Sequence, residues 1–226
     1  MTPPPPDPRE PERLALFGDV HANLPALQAV LAAIRAACIA RGACTGDLVM
    51  RGAAPEGCVA AVRALGWPCV MGNTDRRVGR STPDPGHPKA ERMGSRAWTA
   101  IRVSADSRRF LADLPMTTTL TLGSRRVVVM HGTPEDPREP IDESTPDDAL
   151  RRLAAGLRAD VVVSGHTHRA AARWVDHRLF VNPGSVGEGV PADRRPSWAV
   201  LEAGDAGLEV RFMRVEEPLA TVRRDR

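Results

Sequence analysis

The sequence predicts an α/β fold, and three observations support this prediction. Short apolar runs alternate with segments that carry apolar residues at helical spacing, as strands and helices do in α/β proteins. Several of the apolar runs end in glycine followed by a polar residue, and open α/β sheets place ligand sites at such strand ends. A chain of 226 residues with 42% hydrophobic content can bury one sizeable core.

The composition argues against several classes of protein. The formal net charge is only +3, tyrosine is absent, and no arginine-rich block is interleaved with aromatic residues, so stable nucleic-acid binding is not expected. The four cysteines form no CxxC pair, and we interpret them as reduced, buried packing residues. The sequence contains neither a membrane-spanning run nor a signal peptide, so we expect a soluble cytoplasmic protein without a membrane partner.

The N-terminal half begins with a proline-rich tail, residues 1–12, which we predict to be disordered because proline fixes φ and lacks an amide donor. The pattern then predicts strands at 13–17, 43–44 and 68–71 and helices at about 24–34 and 55–65. Asn23 can cap the first of these helices, and Gly66 ends the second.

Residues 76–115 interrupt the alternation and are predicted to form an insertion that lies over the site. Positions 79–90 are rich in Gly, Pro and Ser and indicate an exposed loop, so we interpret His87 as a surface residue. Two short helices are expected at 93–103 and 105–114, the second capped by Ser104.

The C-terminal half returns to strands. Strands are expected at 117–122, 126–130, 173–175, 179–181, 198–202 and 208–215, with a buried one in the run that starts at Asp160. A helix is predicted from Thr145 to near Arg158. The expected arrangement is one domain over 13–215, followed by a frayed tail at 216–226.

The polar residues at the strand ends are the candidate metal ligands. Residues i and i+2 of an extended chain point to the same side, so His166 and His168 would present both imidazoles to one spot. Taken alone, this HxH pair could be an accident of a polar turn, and Asp19 could simply cap a helix. However, five strand ends together supply seven such residues, namely Asp19, His21, Asp47, Asn73, His131, His166 and His168.

This ordered set of motifs, DxH, GD, GN, H and GHxH, resembles the pattern of the calcineurin-like metallophosphoesterase superfamily. GDLVMRG, HGTP and the pair GHTHR with NPGSVG further resemble a bacterial branch of small phosphoesterases related to diadenosine tetraphosphatases and PP2A-type phosphatases. The resemblance implies a four-layer α/β/β/α sandwich of two mixed sheets.

The resemblance also implies two divalent ions, one held by Asp19, His21, Asp47 and His168 and the other by Asp47, Asn73, His131 and His166. A carboxylate such as Asp47 can bridge two ions about 3.5 to 4 Å apart, which then share a hydroxide poised for in-line attack on phosphorus. Nitrogen and oxygen ligands without thiolate suit manganese, iron, nickel or zinc better than magnesium or calcium. The resemblance favours manganese among these metals.

Four further positions bear on the reaction. Many family members carry histidine after the GN asparagine, as an acid for the leaving oxygen; Thr74 stands there instead, and its hydroxyl is too weak an acid, which favours diesters or activated leaving groups. Arg51 matches an arginine that grips phosphate in the family, although Met50 replaces its aspartate neighbour and a surface role stays open. Asp75 and Asn182 are expected to support the ligands, Asp75 alternatively as a helix cap.

The sequence therefore predicts a metal-dependent phosphoesterase. The expected catalytic residues are Asp47, Asn73, His131 and Arg51, and the expected substrate-binding residues are Arg51, Asn73 and Thr74. The partner would be a phosphate-ester small molecule or nucleotide, and a homo-oligomer is possible. The alternatives are a protein or nucleoside-polyphosphate phosphatase and, from another class, a metal-binding scaffold without activity.

Overall fold

The computed structural model describes residues 11–204 and 207–216. The predictions of a disordered tail before residue 11 and of fraying after 216 lie outside these residues. The helices and strands follow each other as β1 (Glu12–Phe17), α1 (Leu24–Ala36), β2 (Gly42–Cys44), α2 (Pro55–Leu65), α3 (Asn73–Gly79), α4 (Arg96–Arg102), α5 (Ala105–Asp113), β3 (Thr117–Leu122), β4 (Arg125–Met130), α6 (Asp147–Leu157), β5 (Val161–Val163), β6 (Ala171–Val175), β7 (Arg178–Asn182), β8 (Ser197–Gly204) and β9 (Gly207–Arg214).

The strands form two mixed sheets, as the resemblance implied. The first sheet has the order β2-β1-β8-β9, in which β1 and β2 are parallel and the other pairs are antiparallel. The second has the order β3-β4-β5-β7-β6, with the parallel strands β4, β5 and β7 at its centre. Parallel neighbours end at the same edge of a sheet, so each sheet gathers the residues that follow its parallel strands.

Strand alternation explains why the sheets stack face to face. In β1, Leu14 and Leu16 point into a core between the sheets, where they join residues such as Val129 and Val163 of the second sheet. Ala15 and Phe17, which alternate with these leucines, point the other way, into a second core that they share with α1 and α2. Alternate residues of β1 therefore pack into different cores, one on each face of the sheet.

The second sheet is covered by a helix on its outer face. Met130 of β4 and Val162 of β5 pack against Leu150 and Ala154 of α6. The order of layers is thus helix, sheet, sheet and helix, which confirms the predicted four-layer α/β/β/α sandwich.

The insertion joins the helical layer of the first sheet. Its helix α5 is held to α2 by Glu56, which accepts hydrogen bonds from Ser104 and Ser107 at 2.9 to 3.0 Å. Ser104 also caps α5, as predicted, by accepting from the backbone N–H of Ser107. The loop before α4 reaches the predicted site, where the carbonyl of Gly94 accepts from the backbone N–H of Arg51.

Four sequence interpretations differ from the structure. Glu12 belongs to β1 and pairs with Ala203, although it was predicted to be disordered. The expected strand at 68–71 is reduced to one bridge between Cys44 and Cys69, because the chain turns into α3 directly after it. The helix α3 itself was missed, since seven residues hold too few apolar positions to show a period. Cys38 is exposed rather than buried, because it follows the end of α1 in a left-handed conformation.

Within the described residues, no helix has the length and apolar character that crossing a membrane requires.

Candidate metal centre

The seven predicted ligands meet at one end of the sandwich. Asp19 and His21 follow β1 and Asp47 follows β2 in the first sheet, while His131 follows β4 in the second. Asn73 opens α3, and the HxH pair follows β5. Because the parallel strands of both sheets end on this side, residues far apart in sequence come together here.

Three side chains form the first half of the cluster, and their donor atoms converge. The Nε2 atoms of His21 and His168 lie 3.0 Å apart, and His168 Nε2 lies 3.2 Å from Asp19 Oδ1. His21 Nε2 is also 3.7 Å from Asp47 Oδ2. Two ring nitrogens that face each other this closely beside a carboxylate are arranged as ligands around a common point.

The second half of the cluster centres on His131. Its Nε2 atom lies 3.2 Å from Asn73 Oδ1 and 3.6 Å from Asp47 Oδ1. Its other nitrogen, Nδ1, donates a 2.7 Å hydrogen bond to the carbonyl of Thr45, which fixes the ring and leaves Nε2 for the site. The ring of His166 lies edge-on to that of His131, with 5.2 Å between the centroids.

The buried carboxylates of the cluster fit a cation. Asp19 and Asp47 are 0% and 1% exposed, and among the described residues only histidines lie within ion-pair distance of them. Asp19 Oδ1 is buried without a hydrogen bond. A buried carboxylate without a permanent positive partner is costly, and a divalent ion at these oxygens would remove that cost.

The protonation states of three cluster residues also suit metal binding. Burial lowers the pKa of His21 well below its usual range, and the charge of Arg51 adds to this effect. Burial likewise lowers the pKa of His166, followed by the charge of His131. Burial would raise the pKa of Asp19, but the contact with His168 and the charge of His131 lower it overall. At neutral pH these residues thus offer neutral imidazoles and an ionised carboxylate, the forms that bind metals.

Five of the seven cluster residues have a left-handed backbone conformation. Their φ angles are positive, between 47° and 68°, at Asp19, His21, Asp47, His166 and His168. Non-glycine residues in this region cost of order 1 kcal/mol or more each and persist where the surrounding structure enforces them, which is common at functional sites.

Asp75 enforces the conformation of the loop after β2. Its buried carboxylate accepts hydrogen bonds from the backbone N–H groups of Asp47, Leu48 and Gly72, at 2.7, 2.8 and 3.1 Å. Burial raises the pKa of Asp75 to about 7, and the negative charge of Asp47 contributes to this shift. The residue thus caps α3 and supports a cluster residue at once, the two roles that the sequence left open.

The sequence profile of the calcineurin-like phosphoesterase superfamily domain matches residues 13–206. The chain belongs to the calcineurin-like phosphoesterase superfamily. An uncharacterized protein of Methanocaldococcus jannaschii is 28% identical over 223 residues, which cover 90% of this chain and 87% of that protein.

Solved structures agree with this family. A metallophosphoesterase from Sphaerobacter thermophilus has 31% sequence identity and a TM-score of 0.72, covering 91% of this chain and 89% of that one. A hypothetical protein from Pyrococcus horikoshii has the same fold, with a TM-score of 0.78 at 20% identity, covering 91% and 88%. The chain is therefore a metal-dependent phosphoester hydrolase, and the cluster is its candidate metal centre.

Asn182 of this phosphoesterase forms hydrogen bonds with the loop that carries the HxH pair. Its Nδ2 atom donates to the carbonyl of Gly165 at 2.7 Å and to the hydroxyl of Thr167 at 3.0 Å, while its Oδ1 accepts from the backbone of Gly184. The NPGSVG segment, which begins at Asn182, also reaches Asp19. There the hydroxyl of Ser185 donates a 2.8 Å hydrogen bond to the carbonyl of Asp19. The NPGSVG segment thus connects the two sheets at the metal centre.

Replacing Asn182 with alanine is expected to weaken metal binding by roughly 10- to 100-fold, because the HxH loop loses two hydrogen bonds that orient its histidines. Titration of the metal-free protein with Mn²⁺ by calorimetry measures this change. Asn23→Ala removes a hydrogen bond to Gly187 on the outer side of the same segment and is the matched control. An affinity equal to the wild-type value would show that Asn182 has no orienting role.

Arg51 lies at the rim of the centre, where it forms an ion pair with Glu188. Glu188 also lies 3.8 Å from His168 Nδ1, on the side of the ring that faces away from the cluster. Glu188 was not predicted from the sequence, because its contacts with Arg51 and His168 join residues that are far apart in the chain. The arginine is thus near the centre and not elsewhere on the surface.

The side chain of Thr74 is buried, whereas a residue that contacts substrate needs an exposed side chain. Its side chain is 2% exposed, and its hydroxyl is buried without a hydrogen-bond partner. Its backbone N–H, in contrast, donates to Asp47 Oδ1 at 2.8 Å. The main chain of Thr74 therefore orients Asp47, whereas its hydroxyl does not reach the open side of the site.

Proposed function

We propose that this phosphoesterase uses two divalent ions. Asp19, His21, Asp47 and His168 would hold one ion, and Asp47, Asn73, His131 and His166 the other. The observation that carries the proposal is the orientation of Asp47, whose Oδ2 faces His21 at 3.7 Å while its Oδ1 faces His131 at 3.6 Å. A carboxylate that turns one oxygen to each half of a cluster is positioned to bridge two ions.

Bound ions would generate a nucleophile at neutral pH and offset the negative charge of the phosphate. The donor set consists of imidazole nitrogens with carboxylate and amide oxygens, and it includes no thiolate. This combination suits manganese, with iron, nickel or zinc as further candidates.

The side chains around the ions have separate roles in this proposal. Asn73 Oδ1 and His131 Nε2 lie 3.2 Å apart, and both would hold the second ion, which would bind an oxygen of the phosphate. Arg51 exchanges its ion pair with Glu188 for the non-bridging oxygens of the bound phosphate. Its guanidinium, 43% exposed as a side chain, has the access to solvent that this exchange needs.

We further propose a preference for phosphodiesters or activated leaving groups. An alkyl monoester needs a proton donor for its departing oxygen, and loss of such a donor costs roughly 100-fold or more. The buried hydroxyl of Thr74 is unsuited to this role by its acidity and by its position. A leaving group that is already a weak base, such as p-nitrophenolate, escapes this requirement.

The expected result is that the manganese-loaded protein hydrolyses bis-p-nitrophenyl phosphate and p-nitrophenyl phosphate, whose leaving group needs no proton donor, at least roughly tenfold faster, by kcat/KM, than an alkyl monoester such as glycerol 3-phosphate. Release of p-nitrophenolate or of orthophosphate measures the rates, and metal analysis of the same sample gives the number of ions per chain. Hydrolysis of the alkyl monoester as fast as that of the p-nitrophenyl esters would disprove the argument from Thr74.

Two other functions remain as alternatives. A protein or nucleoside-polyphosphate phosphatase would use the same centre and would prefer phosphopeptides or nucleotides over both p-nitrophenyl esters. A scaffold without activity would turn over no phosphate ester even when fully metallated. All seven predicted ligands are present and lie in one cluster, which argues against the scaffold.

A further inference from the structure

Positive charge is concentrated in one stretch of the chain that begins beside the metal centre. Residues 76–96 contain six basic side chains and two acidic ones, which gives this stretch a formal charge of +4. The whole chain carries only +3, so the remainder carries −1. The basic members are Arg76, Arg77, Arg80, Lys89, Arg92 and Arg96.

Helix α3 directs three of these arginines to the side of the centre. Its residues 74, 75 and 78 are buried, and Gly79 packs so closely on α5 that an added Cβ would lie 2.6 Å from the backbone of Ala112. Asn73, Arg76, Arg77 and Arg80 share the opposite face, at the spacing of one and two helical turns. Asn73 on this face reaches His131 in the metal centre, and helical side chains lean toward the N-terminus, so the arginines lean toward Asn73.

A second observation places Arg76 at the rim of the centre. The hydrogen bond from Arg138 lowers the pKa of Asp136 to about 2, and the charge of Arg76 contributes to this shift. Asp136 lies in the loop that follows His131, so Arg76 borders the centre on the side of the second ion.

The other end of the charged stretch returns to the centre. Gly94 accepts a 2.9 Å hydrogen bond from the backbone N–H of Arg51, and a Cβ on Gly94 would lie 2.3 Å from the carbonyl of Arg51. Arg92 and Arg96 flank this contact, and both are exposed. We call Arg76, Arg77, Arg80, Arg92 and Arg96 the arginine rim.

The rim differs from ten other arginines of the described residues, which form ion pairs with carboxylates. Arg151 and Arg195, for example, each pair with two or more carboxylates. Within residues 11–204 and 207–216, no rim arginine forms an ion pair or a side-chain hydrogen bond. Five like charges that lack partners and border a cationic metal centre repel one another, and an anion would relieve this repulsion.

We propose that the arginine rim binds the additional phosphate groups of a multiply phosphorylated small molecule while another of its phosphates lies at the metal centre. This inference rests on the proposed function and specifies the substrate class of the same site. Arg77 lies about 6 Å along α3 from Asn73, slightly more than one helical turn, so a phosphate near the rim and a phosphate at the centre belong to one compact ligand.

A small molecule fits the rim better than a nucleic acid. Residues 76–96 include no aromatic side chain other than His87, and the neighbouring Trp98 is buried. Single-stranded nucleic acids need exposed aromatic faces for their bases, which this surface does not offer.

Inhibition of bis-p-nitrophenyl phosphate hydrolysis tests the proposal, with free Mn²⁺ held constant by a metal buffer. Three inhibitors are compared. Orthophosphate has one phosphate group and probes the metal centre alone, inorganic tripolyphosphate has further phosphates linked as anhydrides, and 1,3-propanediol bisphosphate has a second phosphate on a separate carbon. In the wild type we expect tripolyphosphate to inhibit roughly tenfold or more better than orthophosphate, and the double variant R76Q/R77Q to lose this ratio.

The matched control is R35Q/R125Q, which removes the same charge from arginines at the far ends of α1 and β4 and should retain the ratio. Comparison of the bisphosphate with tripolyphosphate distinguishes a site for separate phosphates from one for anhydride-linked phosphates. Strong inhibition by either of these two anions that R76Q/R77Q weakens supports the proposal. Equal inhibition by all three anions in the wild type, or equal losses in both double variants, would overturn it.

A direct measurement of tripolyphosphate binding distinguishes a failure of this inference from a failure of the proposed function. If the metal-loaded wild type hydrolysed no ester, the proposed function would fail, and calorimetric titration with tripolyphosphate would still compare wild type with R76Q/R77Q. Tight binding of an oligodeoxythymidine that R76Q/R77Q abolishes, without tripolyphosphate binding, would identify a nucleic-acid surface and overturn the small-molecule proposal.

Discussion

Asp47→Asn is expected to remove both metal ions together and to lower the hydrolysis of bis-p-nitrophenyl phosphate by on the order of 1000-fold. The reason is geometric, because each oxygen of Asp47 faces a different half of the cluster. An amide offers one neutral oxygen in place of two charged ones, so neither half keeps its full set of ligands. Metal analysis after dialysis, together with the rate of p-nitrophenolate release, measures both effects.

Asp106→Asn is the matched control for this variant. Asp106 is an exposed carboxylate on α5 that pairs with Arg109, and its loss should leave metal content and rate at wild-type values. Circular dichroism of both variants checks that each is folded. Retention of two ions and full activity by Asp47→Asn would show that the ligand assignment is wrong.

The second large effect is expected on stability. Asp75→Ala should lower the free energy of unfolding of the manganese-loaded protein by about 3 kcal/mol or more, because three buried backbone N–H groups lose their acceptor. Urea denaturation followed by circular dichroism measures the change. Asp160→Ala is the control, since Asp160 accepts only one such hydrogen bond, from the backbone N–H of Arg126 at a partly exposed position.

The effect of Asp75→Ala should depend on pH once the metal is removed with a chelator. The folded-state pKa of Asp75 is raised from 3.8 to about 7, so its protonated form is favoured in the folded protein. The stability that this group contributes is present below pH 3.8 and is lost as pH rises toward 7. Asp75→Ala should therefore destabilise the metal-free protein less at pH 8 than at pH 5. A larger loss at pH 8 would contradict the raised pKa.

The candidate site residues that the sequence predicted most directly were those marked by a pattern of a few neighbouring residues. A strand that ends at glycine and continues with a polar residue marks the ends of β1 and β5, and the i, i+2 spacing links Asp19 with His21 and His166 with His168. The parallel pairing that gathers these ends at one edge follows from the alternation of strands and helices.

Features that depend on long-range contacts were not predictable in this way. Glu188 reaches Arg51 only because the NPGSVG segment folds back across the centre, and no local pattern records that path. The burial of the Thr74 hydroxyl depends on how α3 packs, and α3 itself was too short to show a period. The left-handed conformations at the ligands are likewise imposed by neighbouring loops, since the residue types alone disfavour them.

The division of the ligands between the two sheets has a consequence for how the sandwich opens. Asp19, His21, Asp47 and Asn73 belong to the first sheet or its connections, whereas His131, His166 and His168 extend from the second. Each proposed ion would therefore link the two sheets at this end of the sandwich. Metal removal should then speed amide hydrogen exchange first in the residues just after β4 and β5, while the apolar middle of both sheets stays protected.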